Sequence, residues 1–240
     1  MGKFIVRNQE HFSKHIVSFV FENNEHLTVV KSSTDLSSRV SIENEIIGYE
    51  WYYQHGGLIS PKIIKDYKDF LSISIPYING INKNPVYGYT FNKKCIKLIV
   101  QEYKRVWKSE VFKNNTALHG DFSIGNVIFN GDNVVIIDWE HFSPEGFPIG
   151  LDLLNLIFEQ LWFEKRMFGI MDRTLDSISN LVRELVSEGY VVCKDKCYLK
   201  YLTSIINSTH THWGEQFKKM PILKFTSSEV SYIDKYFSKD

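Results

Sequence analysis

Two short motifs in this chain carry residue types that can do chemistry. His119-Gly120-Asp121-Phe122-Ser123-Ile124-Gly125-Asn126 holds an aspartate and an asparagine five residues apart, and Ile137-Asp138-Trp139-Glu140 places a second aspartate twelve residues beyond the asparagine. One carboxylate can orient a hydroxyl and accept its proton. Two hard oxygen donors can hold Mg²⁺, which accepts few protein ligands and keeps several of its waters. Together these are the parts of a phosphoryl-transfer site, where catalysis is mostly positioning and charge neutralisation.

The segment between the motifs explains how they could meet. Val127-Ile128-Phe129 and Val134-Val135-Ile136-Ile137 are apolar runs, the second β-branched throughout, and Asn130-Gly131-Asp132-Asn133 between them is a turn signal. Asn-Gly readily takes the positive φ of a tight hairpin. Asn126 enters this ribbon and Asp138 leaves it, so the hairpin brings both to one end. Asp121 lies on the loop leading in.

The pattern His-Gly-Asp-x4-Asn followed by Ile-Asp-Trp-Glu resembles the aminoglycoside phosphotransferase and choline kinase family, relatives of the protein kinases, whose own motifs read His-Arg-Asp and Asp-Phe-Gly. The resemblance implies that Asp121 is the catalytic aspartate, that Asn126 and Asp138 hold Mg²⁺, and that His119 braces the loop. It implies ATP as phosphoryl donor and a hydroxyl acceptor on a small molecule or glycan. It also implies an α+β fold of two lobes, protein-kinase-like, with a small antiparallel sheet and one helix in the N-lobe and a mainly helical C-lobe containing the catalytic hairpin. Asp152, in Gly150-Leu151-Asp152, matches a family aspartate that braces the catalytic loop; the residue-level alternative is an ordinary first-turn helix aspartate.

The elements that must position these residues are legible upstream. Phe4-Ile5-Val6, Ile16 to Phe21 and Leu27 to Lys31 read as strands, separated by a turn over 22–25. Family members hold nucleotide beneath such a sheet, with a third-strand lysine on the α- and β-phosphates, and Lys31 matches that position. The loop over the phosphates falls in Asn8 to Lys14, which lacks glycine, with Ser13 a candidate contact. Residues 36–54 read as a helix with an apolar stripe of Ile42, Ile46, Tyr49 and Tyr53. One glutamate here should pair with Lys31. Glu43, Glu45 and Glu50 compete, and the spacing to Pro61 best matches the family if Glu45 is chosen, with Glu43 second. After His55-Gly56-Gly57 ends the helix, Ile63-Ile64 and Leu71 to Ile75 continue the sheet. Pro76 to Gly80 resembles the inter-lobe linker, so the lobes are drawn as 1–80 for nucleotide and 81–240 for catalysis and acceptor.

A helix over 92–112 lies beneath the catalytic loop, residues 140–150 read as a loop, and helices follow near 151–168, 172–188, 195–209 and 227–237, the last opened by a Thr226/Glu229 capping box. The 140–150 segment is short and has no Ala-Pro-Glu, which counts against a protein kinase; a regulatory nucleotide-binding pseudokinase is the other alternative. Glu140 is a candidate for holding a cationic acceptor, and Trp162, Trp213 and several tyrosines offer a cation–π wall for a choline-like amine, though core packing accounts for most of them. An aminoglycoside, sugar or glycan acceptor is equally compatible.

Composition sets the outer bounds. The 240 residues, 43% hydrophobic and 23% charged, suffice for two lobes with a substantial core. A formal net charge of zero gives no basic excess for nucleic acid or an anionic membrane. Three cysteines make no disulfide framework, and Cys193-x3-Cys197 lacks the second pair a zinc site wants; the close pair His210 and His212 also lacks a third ligand. The N-terminus has no apolar run of signal-peptide length. The richest apolar stretch, Leu151 to Phe163, is interrupted by Asp152, Asn155, Glu159 and Gln160, so no membrane span is expected and the cytoplasm is the expected location.

Overall fold

A computed structural model describes residues 4–6, 15–22, 26–67, 70–82, 93–111, 113, 115–169, 172–193, 195–208 and 221–238. The candidate phosphate loop at 8–14, the 209–220 segment with His210, His212 and Trp213, and most of the 81–92 connection lie outside them.

The N-terminal part is an antiparallel sheet with one helix. Strands β1 (Phe4–Val6), β2 (His15–Glu22), β3 (His26–Ser33), β4 (Lys62–Tyr67) and β5 (Phe70–Pro76) order as β1-β2-β3-β5-β4. The register sets Val17 opposite Lys31 and Lys31 opposite Ile73, which puts the lysine in the middle of the sheet. Helix α1 (Leu36–Gln54) opens on a capping box: Asp35 Oδ1 accepts from the Ser38 N–H at 2.7 Å, and Ser38 Oγ accepts from the Asp35 N–H at 3.0 Å.

The buried face of α1 is Ile42, Glu45, Tyr49 and Tyr52, while Tyr53 is exposed. The apolar spacing points instead to Ile42, Ile46, Tyr49 and Tyr53. The face is turned because a fully buried glutamate occupies one of its positions, a residue that apolar periodicity counts as solvent-facing. Gly48 lies on the same side. A Cβ there would come within 2.5 Å of Trp139 Cβ and 2.9 Å of Phe142 Cβ, so only glycine lets α1 approach the second motif this closely.

The C-terminal part begins with β6 (Ile81–Asn82), which pairs with β8 (Val127–Asn130), itself paired to β9 (Asn133–Ile136). The β8–β9 loop is Gly131-Asp132, and Gly131 takes φ 63° while Asp132 stays negative. The positive φ thus sits at the first loop position alone, so glycine and not asparagine makes the turn. Helix α2 (Lys93–Val106) is shorter than the pattern implies and is followed by a 3₁₀ turn over Lys108–Glu110.

One expected loop is a strand. β7 (Thr116–Leu118) pairs antiparallel with β10 (Ser143–Phe147), although β10 contains Pro144 and Gly146. The ladder is two strands wide and its register shifts between Ser143 and Phe147, the bulged setting in which proline is tolerated. Helix α3 (Leu151–Phe168) follows Gly150 at φ 88° and is buried nearly all round, which makes it the central helix of this part. Around it stand α4 (Asp172–Ser187), α5 (Tyr198–Ser208), a 3₁₀ turn at Pro221–Lys224 and α6 (Ser227–Phe237). The expected Thr226/Glu229 capping box opens α6. No helix among the described residues is long and apolar enough to cross a membrane.

Candidate active site

The first motif forms a loop pinned by buried groups. Asp152, 3% exposed in the first turn of α3, accepts the His119 N–H at 2.8 Å and the Gly120 N–H at 3.2 Å with its two oxygens. On the next turn Asn155 donates to the Phe122 carbonyl at 3.3 Å. His119 is fully buried. Its Nε2 bonds the Ile137 carbonyl at 3.0 Å and its Nδ1 faces the Asp121 N–H at 3.3 Å, so the ring joins the first motif to the second. Burial pushes its pKa down to about 4, keeping the ring neutral, with the proton on Nε2 and the lone pair of Nδ1 toward the amide.

Gly120 adopts φ 89°, and a Cβ there would lie 2.2 Å from the His141 carbonyl oxygen. Gly120→Ala therefore meets left-handed strain and a backbone clash together. It should cost roughly 2–4 kcal/mol and displace Asp121. Thermal unfolding of the variant checks this; an unchanged Tm would show that the loop can absorb the methyl group.

Asp121 and Asn126 are brought together. The Asn126 amide nitrogen donates to the Asp121 carbonyl at 2.8 Å and to Asp121 Oδ2 at 3.0 Å. Burial, reinforced by the nearby Asp138 charge, raises the Asp121 pKa. Asp138 sits at φ 65° and its N–H donates to the Tyr49 hydroxyl at 3.2 Å, so α1 holds the strained residue in place. Trp139 points the other way, buried among Tyr49, Tyr52, Trp107 and His119.

The N-terminal sheet contributes Lys31. Its ammonium lies 2.8 Å from both Glu45 oxygens and 2.6 Å from Asp138 Oδ1, linking the sheet, α1 and the second motif. Of the rival glutamates, Glu43 pairs with Arg39 at 2.9 Å and Glu50 is exposed. Burial opposes the charge on Lys31, but Asp138 and Glu45 raise its pKa well above the usual value. Burial pushes Glu45 up to about 7 against the pull of Lys31. Burial also works against the Asp138 carboxylate, yet Lys31 holds it below the usual range.

Glu140 is engaged by protein side chains. Its Oε2 bonds His15 Nε2 at 3.0 Å, its Oε1 lies 3.4 Å from His141 Nε2, and its carbonyl accepts from Asn44 at 3.2 Å. It ties the start of β2 and the middle of α1 to the second motif. Trp162 is 8% exposed, and Arg166 and Lys224 each sit 5.1 Å from its ring centroid. Its π surface already serves two protein cations, which leaves little for a bound amine.

The residue that the motifs do not reveal is Glu159. It follows Asp152 and Asn155 at i+7 and i+4 on one face of α3. Its Oε2 is sealed from solvent without a hydrogen-bond partner, and burial together with the Asp121 charge pushes its pKa up to about 8. The signal was present as the polar interruptions of the Leu151–Phe163 run, which fall at helical spacing on the loop side. Its folded pKa lies above the ordinary 4.5, so the folded chain keeps a proton that the unfolded chain releases, and stability falls as pH rises from about 4.5 toward 8. Glu159→Gln removes this titration. Without nucleotide, the variant should gain on the wild type by up to about 1.4 kcal/mol per pH unit through that window, read as diverging Tm values near about pH 8 and similar ones near about pH 5. Parallel Tm curves across the window would contradict the assignment.

No protein-family model and no characterised protein matches the chain by sequence. Among solved structures, it is similar to amicoumacin kinase hAmiN, determined in complex with AMP-PNP, Ca²⁺ and Ami, with a TM-score of 0.51 and 10% identity over 98% of this chain and 86% of that one. The chain has a kinase-like fold. Among the described residues no three His, Cys, Asp or Glu side chains converge as a metal site.

Proposed function

We propose that this chain is a Mg²⁺-dependent phosphotransferase of the aminoglycoside phosphotransferase and choline kinase type, moving the γ-phosphoryl group of ATP to a hydroxyl of a small molecule or glycan. The observation that carries the reading is one bonded cluster. Lys31, Glu45 and Asp138 meet within hydrogen-bond distance, and Asn126 braces Asp121 beside them, on a kinase-like fold.

The donor chemistry suits Mg²⁺. The Asn126 nitrogen is committed to Asp121, which leaves its oxygen as the outward donor, and Asp138 supplies a carboxylate held charged by Lys31. One carboxylate and one amide oxygen, completed by phosphate and water, is a hard set of the kind Mg²⁺ accepts. Bound there, the ion would shield the β- and γ-phosphate charges. Lys31, steadied by Glu45, contacts the nucleotide phosphates. Asp121 takes the hydroxyl proton as the acceptor oxygen bonds to the γ-phosphorus and the bond to the ADP oxygen breaks. Its raised pKa makes it a better base than an exposed aspartate. We draw the lobe boundary at residue 80; the pairing of β6 with β8 just after it supports this choice. Three cysteines, too few for a disulfide framework, suit a reducing cytoplasm.

The test is ADP release over a panel of amino alcohols, aminoglycosides and sugars, with and without Mg²⁺. Metal-dependent release stimulated by one small molecule is the expected result. Nucleotide binding with no turnover would favour a pseudokinase, and phosphate incorporated into protein would favour a protein kinase.

A further inference from the structure

Five residues share one face of α3: Asp152, Asn155, Glu159, Trp162 and Arg166, at steps of three and four. The first two grip the catalytic loop and the third feels the charge of Asp121. The face therefore starts at the proposed reaction centre and runs away from it. At the far end its character reverses. Arg166 and, from the 3₁₀ turn after residue 220, Lys224 each stand 5.1 Å from the Trp162 ring centroid, so the two cations are no farther apart than twice that distance. Among the described residues neither has a carboxylate partner. The neighbouring Lys165 shows the contrast, since it is paired with Glu229 at 2.6 Å and rests over Phe225. The helix dipole accounts for a basic residue in the last turn of α3, but not for a second cation brought to the same ring from another element. Both side chains are exposed, so an anion from solvent can reach the two cations and be attracted by both.

From this we infer that the acceptor is an anionic small molecule, a carboxylate or phosphate ester, whose negative group binds Arg166 and Lys224 against Trp162 while its hydroxyl reaches Asp121. The inference rests on the phosphotransferase reading above. The seven-residue rise from Glu159 to Arg166 is about 10 Å along the helix axis, so the acceptor is one whose hydroxyl and negative group stand well apart. Arginine suits the task because its planar fork matches carboxylate and phosphate oxygens.

The test compares twin acceptors on the full chain: glucose, gluconate, glucose 6-phosphate and glucosamine, each assayed for Mg²⁺- and ATP-dependent ADP release. In parallel, tryptophan fluorescence is titrated with the same compounds without nucleotide. A KM at least about 10-fold lower for an anionic twin than for glucose is expected, the carboxylate and phosphate arms showing which anion is preferred. The Arg166→Gln/Lys224→Gln double variant should erase that ratio by raising the anionic KM, with kcat within about threefold. Lys108→Gln controls for loss of surface charge. The anionic twins should quench fluorescence in the wild type and not in Trp162→Phe. A preference for glucose or glucosamine, or a ratio unchanged in the double variant, overturns the inference while leaving the phosphotransferase reading intact. Absence of acceptor-stimulated ADP release from every twin and from the wider panel sinks that reading instead. The titration then decides the anion site alone: saturable quenching lost in Trp162→Phe sustains it, and no quenching overturns it.

Discussion

Asp121→Asn should lower kcat by about 10²- to 10⁴-fold, the usual worth of a positioned general base. Affinity for Mg²⁺·ATP should stay within about threefold, because the loss falls on the chemical step. The substitution is nearly isosteric. The Asn126 amide nitrogen can still donate to the Asp121 backbone carbonyl, and Asp152 still holds the loop through the His119 and Gly120 amides, so a fall in rate would not report unfolding. Single-turnover measurement of ADP formation reads the effect directly. A variant with near-normal turnover would remove Asp121 from the catalytic role.

Asp138→Ala should act on a different quantity. With the carboxylate gone, the Mg²⁺-dependent part of ATP affinity should fall by at least about 10- to 100-fold. Lys31 is bonded to both Asp138 and Glu45, and removing the former leaves its charge available to phosphate. Affinity for ATP without metal should therefore hold or rise slightly while the metal-bound affinity collapses. Calorimetric titration of ATP with and without Mg²⁺ separates the two arms. Equal loss in both would mean that the variant damages the fold, and equal retention would mean that Asp138 holds no metal.

Much of the architecture was legible because its signals are local. The boundaries of α1 and α3 follow from Asp35, Gly56, Gly150 and Gly169, residues that start or stop a helix by their own conformational preferences. The β8–β9 hairpin was equally plain. β10 was not, because Pro144 and Gly146 argue against a strand unless the reader knows that the ladder is two strands wide and bulged. The competition among Glu43, Glu45 and Glu50 shows a subtler limit. The structure pairs Lys31 with Glu45 on the buried face, whereas apolar periodicity reads any buried glutamate as a surface residue. Glu140 shows a related limit. Its adjacency to Asp138 in sequence says nothing of the His15 ring that takes up its carboxylate from 125 residues away. Glu159 was visible only as an interruption in an apolar run. Its meaning depends on the three-dimensional fact that α3 lies along the His119–Phe122 loop.

The contact between Gly48 and the Trp139–Phe142 segment has a consequence for regulation. Many switchable kinases are turned off by swinging their glutamate-bearing helix outward, which breaks the lysine–glutamate pair. Here that helix touches the second motif backbone-close, at a position where even a methyl group does not fit, and Tyr49 of the same helix bonds Asp138. Swinging α1 away would drag the second motif with it and expose Trp139. If the proposed function holds, the Lys31–Glu45 pair is kept in place by packing of α1 on the second motif, and loosening it would require the whole Trp139–Phe142 segment to move.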